Sequence, residues 1–291
     1  MFKKKQISIL TNMEEMLVSA KKGKYAVAQF NINNLEWAKY ILEECQDLKA
    51  PVILGVSEGA AKYMGGYNVI YGMVNGLIKD LKITIPVVLH LDHGSSVEAC
   101  LNALNAGFTS VMIDASKYAL SDNINMTKEV VSIAKRYGAS VEAEIGHIGG
   151  SEDGMASDSL YARTDECVIM ARKTKITALA PALGSVHGLY KGEPNLDFTR
   201  MLEIGIQTDL PLVLHGGTGI PDDKLLQAIE CGVCKINFNT ELQIAWKRYV
   251  NNFISQNPNE YDPRKVIGSG ERAIKAVVRT KVSLLRSDNK A

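Results

Sequence analysis

The stretch Leu212-Val-Leu-His-Gly-Gly-Thr-Gly-Ile-Pro-Asp-Asp223 reads as a strand, a glycine-rich turn and the start of a helix. Leu212–Leu214 is short and wholly apolar, as expected of a strand covered on both faces. Pro221 suits the first helical turn, where a missing N–H costs nothing, and Asp222 and Asp223 suit the positive end of the helix dipole. An amphipathic segment follows over 222–231, and then a second apolar run, Val233–Phe238. Strand, helix and strand in that order make a parallel βαβ unit.

The same unit recurs toward the N-terminus. Apolar runs occupy 26–30, 52–56, 87–91, 111–113, 141–145 and 176–183, which with the two above makes eight. Residues 35–48 place Leu35, Ala38, Ile41, Leu42 and Cys45 on one helical face, and 97–106 and 125–137 behave similarly. Eight strands, each followed by a helix, predict an α/β chain folded as a closed (β/α)8 TIM barrel. An open doubly wound sheet shows the same alternation, but no G-x-G-x-x-G follows the first strand, which argues against its dinucleotide-binding form. A length of 291 residues suits one barrel domain over 1–291, with a C-terminal helical extension, better than two small domains. With 46% hydrophobic residues the chain can fill a large core.

Thirty-three Lys and Arg stand against 32 Asp and Glu, so no strong field draws the chain to nucleic acid. The basic start, Met1-Phe-Lys-Lys-Lys5, leads into no signal-length apolar stretch, and no run is long enough for a membrane span. Five scattered cysteines, Cys45, Cys100, Cys167, Cys231 and Cys234, suggest buried thiols in a reducing cytoplasm.

Polar residues gather where the apolar runs end: Asn31, Ser57, Asp92 with His93, Asp114, Glu144 with His147, His187, His215, and Asn237 with Asn239. On a barrel those ends form the C-terminal rim, where active sites lie. All five histidines, His90, His93, His147, His187 and His215, fall at or near strand ends. His93, His187 and His215 follow three different strands and each precedes Gly, which suggests a three-imidazole metal site with an open position. Glu144 is a further candidate ligand, or a carboxylate paired with a rim cation. Asp92, beside His93, can exchange a proton with a substrate hydroxyl or orient a histidine.

Gly216, Gly217, Thr218 and Gly219 can aim backbone N–H groups at an anion, and Asn237-Phe-Asn-Thr240 opens a helix after the eighth strand. Loops after strands seven and eight are the usual phosphate cradle of this barrel. Thr240 with Gln243 also matches a capping box. The glycine-rich segment 146–164 reads as a long loop without structure and, after strand five, as a mobile lid carrying Glu152 and Asp153.

Taken together, these residues resemble class II fructose-bisphosphate aldolases, in the subgroup that includes tagatose-bisphosphate aldolases. The resemblance runs from Ala28-Gln-Phe-Asn31 to Asp262-Pro-Arg-Lys265. It is specific in His90-Leu-Asp-His93, Glu142-Ala-Glu144, Gly149-Gly-Ser-Glu-Asp-Gly154, His187-Gly-Leu-Tyr-Lys191, His215-Gly-Gly-Thr-Gly219 and Asn237-Phe-Asn-Thr240. It implies a lyase that reversibly splits fructose 1,6-bisphosphate into dihydroxyacetone phosphate and glyceraldehyde 3-phosphate. Its zinc ligands would be His93, His187 and His215, with Glu144 as an alternative ligand. Asp92 would handle the C4 hydroxyl proton, and Glu152 a proton on the three-carbon fragment. Gly188, Lys191, Gly216, Thr218, Asn239 and Thr240 would surround one phosphate, with Asn237 at the ketose and Asn31 as a further substrate-binding residue. Ser57 would lie near the other phosphate, with Arg264 reaching in from a neighbouring subunit. The resemblance also implies a homodimer or homotetramer and a monovalent cation, Na+ or K+.

Tagatose 1,6-bisphosphate is the alternative substrate, although Gln243 stands where some tagatose-type relatives have arginine. A Schiff-base aldolase using Lys235 would leave the three histidines without purpose. A zinc-barrel hydrolase usually carries H-x-H after strand one, where this chain has Asn31-Ile-Asn33. A barrel that only binds would not need the full set of ligands and acid–base groups.

Overall fold

Each barrel strand sends alternate side chains to opposite faces, and both faces are buried. The structure, a computed structural model, describes residues 10–152, 155–157, 161–190 and 192–291, with the backbone alone for 151, 152 and 155–157. In chain order the strands are β1 (Val27–Asn31), β2 (Val52–Ser57), β3 (Val87–Gly94), β4 (Ser110–Ile113), β5 (Ser140–Ile145), β6 (Gly149–Glu152), β7 (Met155–Ser157), β8 (Ala178–Pro181), β9 (Val186–His187), β10 (Leu212–Leu214) and β11 (Val233–Phe238). Eight of them close into a parallel barrel in the order β1-β11-β10-β8-β5-β4-β3-β2. The predicted (β/α)8 barrel is therefore the observed fold.

The outer face is apolar. Phe30, Leu54, Leu89, Val111, Leu179, Leu214 and Phe238 join one cluster with the surrounding helices. The inner face changes character with height. Val27, Ile53, Val88 and Val213 pack at the N-terminal ends against Met13, Met16, Leu17 and Ala20, the last three of which lie on or in helix Glu14–Gly23. Above them stand Gln29, His90, Glu142 and Lys235, all fully buried, and then the polar rim. The floor is thus plugged by apolar contacts, and the polar rim lies at the opposite end.

Helix starts are fixed by local chemistry. Asn34, Ser57, Ser96 and Asp197 each accept a hydrogen bond from a backbone N–H in the first turn of the helix that follows. Helix Leu120–Tyr137 begins five residues earlier than its periodicity suggested. Helix Glu271–Leu284 returns from the C-terminus to pack on Leu35–Asp47 and Thr240–Gln256. No helix among the described residues is long and apolar enough to cross a membrane.

Two local expectations are corrected. The segment after β5 is not a structureless loop: β6 and β7 pair as an antiparallel hairpin, and β6 pairs in parallel with β9. Gly150 permits this, having φ 105° and lying so close to β9 that a Cβ would sit 2.2 Å from the His187 carbonyl oxygen. Nor does Thr240 cap its helix. Asn239 occupies the cap without a side-chain bond, and the Glu241 N–H donates instead to Thr218 Oγ1 at 3.2 Å. The turn after β10 therefore caps the helix after β11, locking the two phosphate-type loops together.

Candidate active site

Three imidazoles meet at the mouth of the barrel. Ring centroids of His93 lie 4.9 Å from His187 and 4.7 Å from His215, all edge-to-face. One ring nitrogen from each lies within 4.8 Å of the others. His93 reaches this position from a left-handed backbone, φ 50°, which costs a non-glycine residue about 1–3 kcal/mol. Gly94 follows because a Cβ there would sit 2.7 Å from the Met112 carbonyl oxygen.

The remaining nitrogens of two rings are held by buried carboxylates. His93 Nδ1 is 2.9 Å from Asp114 Oδ2, and His215 Nε2 is 2.8 Å from Glu142 Oε1. Burial alone would raise both carboxyls. Against it, His93 and Ser116 hold Asp114, and Lys235 and His215 hold Glu142, well below the usual carboxylate range. Ionised carboxylates only accept hydrogen bonds, so these two ring nitrogens carry the protons. The other nitrogens of the two rings, His93 Nε2 and His215 Nδ1, face each other at 2.9 Å. With its proton on Nε2, His215 accepts at Nδ1 from Asn237 Nδ2, 3.2 Å away. Burial lowers the pKa of both His187 and His215, keeping them neutral. Three converging imidazoles, two of them oriented from behind by a carboxylate, fit a metal ion of the zinc type.

A second group of possible ligands shares His93 with Asp114 and Glu144. Burial, reinforced by the nearby Asp114 charge, pushes Glu144 well up. His147, half-buried, touches Ser116 Oγ at 2.9 Å and stands 3.9 Å from Glu144.

Asp92 is buried beside the trio. Asn31 donates to its Oδ2 at 2.9 Å, and Asn237 Nδ2 lies 3.5 Å from Oδ1. Burial would raise this carboxyl, but His93, His215 and Lys235 together hold it well below its ordinary value. It is therefore an ionised carboxylate at neutral pH, able to accept a proton.

A cavity of about 300 Å³ opens over these groups. Its wall contains Asn31, Ser57, Asp92, His187, Gly188, His215, Gly216, Thr218, Asn237, Asn239 and Thr240. Asn33 and Gln243, which were not among the expected substrate-binding residues, also line it. Gly216 has φ 65° and lies so near β9 that a Cβ would fall 2.1 Å from the Val186 carbonyl oxygen. Arg264 is not in this wall. Its side chain is 89% exposed and pairs with Asp262 at 2.6 Å. Lys191 and Asp153 lie outside the described residues, as does the Glu152 side chain, whose backbone ends β6.

Lys235 is no free amine: its Nζ is 2.8 Å from Glu142 Oε2 with both side chains fully buried. That disfavours a Schiff base. The cysteines are all free thiols, with Cys231 half-buried and the other four buried. Sequence reasoning missed Glu142 and Lys235 as supports. The signal in the sequence was a charged residue inside each of two largely apolar runs, with Glu142 also in the Glu142-Ala-Glu144 motif.

The comparisons with known proteins agree with this geometry. The family model described as fructose-bisphosphate aldolase class-II matches residues 11–290. A fructose-bisphosphate aldolase of Geobacillus stearothermophilus is 54% identical over 283 residues, which cover 97% of this chain and 99% of that protein. One from Staphylococcus aureus is 55% identical with the same coverage. Among solved structures, the YdjI aldolase of Escherichia coli K12 superposes with a TM-score of 0.85 at 31% identity, covering 97% of this chain and 99% of that one. A putative fructose-1,6-biphosphate aldolase from Coccidioides immitis gives 0.86 at 25% identity, covering 95% and 96%. With a barrel, three converging histidines and relatives of this similarity along nearly its whole length, the chain belongs to the class II fructose-bisphosphate aldolase family.

Proposed function

We propose that this chain is a zinc-dependent lyase, one barrel domain over 1–291, that reversibly cleaves fructose 1,6-bisphosphate to dihydroxyacetone phosphate and glyceraldehyde 3-phosphate in cytoplasmic glycolysis and gluconeogenesis. The observation that carries the reading is the pair of carboxylate-fixed imidazoles, His93 and His215, converging with His187 beside an ionised Asp92. His93, His187 and His215 hold the zinc, and Glu144 is the alternative ligand. Zinc bound there supplies Lewis acidity toward the ketose C2 carbonyl.

The protein groups do the rest. Asp92 accepts the C4 hydroxyl proton as the C3–C4 bond breaks, and Asn31 and Asn237 keep its oxygens aimed. Glu152 moves the proton at the carbon of the three-carbon fragment. Gly188, Lys191, Gly216, Thr218, Asn239 and Thr240 anchor that fragment's phosphate through backbone N–H and side-chain donors. Ser57 and, from a neighbouring subunit of a homodimer or homotetramer, Arg264 hold the other phosphate. The outward aim of Arg264 supports a role across an interface. A monovalent cation, Na+ or K+, is a further cofactor of this reading.

The test compares cleavage of fructose and tagatose 1,6-bisphosphates at equal concentration. The reading expects the fructose ester to be cleaved with the larger kcat/KM. A preference for the tagatose ester would reassign the substrate, and cleavage of neither would remove the aldolase reading.

A further inference from the structure

Lys235 is a buried amine for which the reaction above has no use. It sits mid-strand on β11, fully buried, and does not line the cavity. Its Nζ lies 2.8 Å from Glu142 Oε2, while Glu142 Oε1 lies 2.8 Å from His215 Nε2. One carboxylate at the centre of the barrel thus forms an ion pair with an ammonium through one oxygen and accepts from an imidazole with the other. That imidazole turns its other nitrogen toward His93. His90 closes the group, with Nε2 3.8 Å from Glu142 Oε2 and Nδ1 fixed by Ser110 Oγ at 2.8 Å. Stability alone does not account for such a pair, because well-packed apolar side chains fill similar space at least as favourably.

We propose that Lys235 is a positioning residue for the metal centre, acting through Glu142 on His215. A terminal carboxylate torsion is soft and broad. The ammonium pins it, and the pinned oxygen fixes both the plane of the His215 ring and which of its nitrogens carries the proton. The Nδ1 lone pair is then presented to the metal in one orientation. The proposal rests on the reading of His93, His187 and His215 as zinc ligands. It adds a residue two positions before Asn237 that touches neither substrate nor metal.

The experiment uses the full chain with Lys235→Met, Glu142→Gln and the double variant. Zinc dissociation constants are measured by competition with a chromophoric chelator, alongside thermal melting and KM at saturating zinc. Each variant is expected to bind zinc about ten- to hundredfold more weakly, with KM for the bisphosphate within about twofold of wild type at saturating metal. The double variant leaves no unpaired buried charge, so it is expected to fold even where Lys235→Met does not. It should melt near wild type and still bind zinc weakly. A purely structural role would move the melting temperature and leave zinc affinity alone. Wild-type zinc affinity in any folded variant overturns the proposal. A wild-type chain that binds no zinc at the three histidines would instead remove the reading beneath it.

Discussion

At His93 a single backbone angle serves the site: φ 50° turns the ring off the strand direction and toward His187 and His215. Removing one of the three rings should be decisive. His187→Ala is expected to lose bound metal and cleavage together, measured by metal analysis beside the coupled assay; full activity with unchanged metal would take it out of the ligand set. Asp92→Asn keeps the shape and the contact with Asn31 but cannot accept a proton. Turnover should fall about 10²- to 10⁴-fold with metal content unchanged. The histidines were legible in the sequence because each sits at the end of an apolar run beside glycine. Glu142 and Lys235 were not, because a charged residue inside a strand shows its partner only when β5 and β11 face each other across the barrel.

At the scale of elements, all eight barrel strands could be read from apolar runs alone, since each is covered on both faces. The β6–β7 hairpin could not. Its Gly149-Gly-Ser-Glu sequence carries no alternation, and it forms because β9 offers a backbone edge to it. That pairing places the strand leading to Glu152 directly on the backbone of His187. Gly150→Ala should therefore disturb catalysis more than stability, since the added Cβ must push against the His187 carbonyl. A fall of about tenfold or more in kcat is expected, because small misplacements at a reacting centre are costly; an unchanged rate would mean the register of β6 on β9 is immaterial. Glu152→Ala should lose turnover while keeping its metal, and a wild-type rate would leave the hairpin without a catalytic carboxylate. The N-terminal plug, helix Glu14–Gly23, also escaped sequence reasoning, because its role is set by the shape of the barrel floor it fills.

For the whole molecule, the polar interior makes stability depend on pH. Burial, with Lys235 nearby, pushes His90 from 6.5 down to about 3. The unfolded chain then takes up a proton through pH 6.5 that the folded chain refuses until about 3. Stability should therefore fall as pH drops through that window. The depressed Asp92 and Glu142 act with the same sign below the ordinary carboxylate range, and the raised Glu144 acts oppositely above it. His90→Asn should flatten the decline in melting temperature between pH 6.5 and 4 for chelated protein, roughly the window of the lost histidine. An identical slope would show that His90 titrates normally.

The most direct test of the zinc aldolase account is one preparation carried through a cycle, with metal content and fructose 1,6-bisphosphate cleavage measured at every step. The account predicts one zinc per chain at the start, loss of metal and activity together under a chelator, and recovery of both when zinc is returned. Cleavage that continues after the metal is fully removed would contradict it.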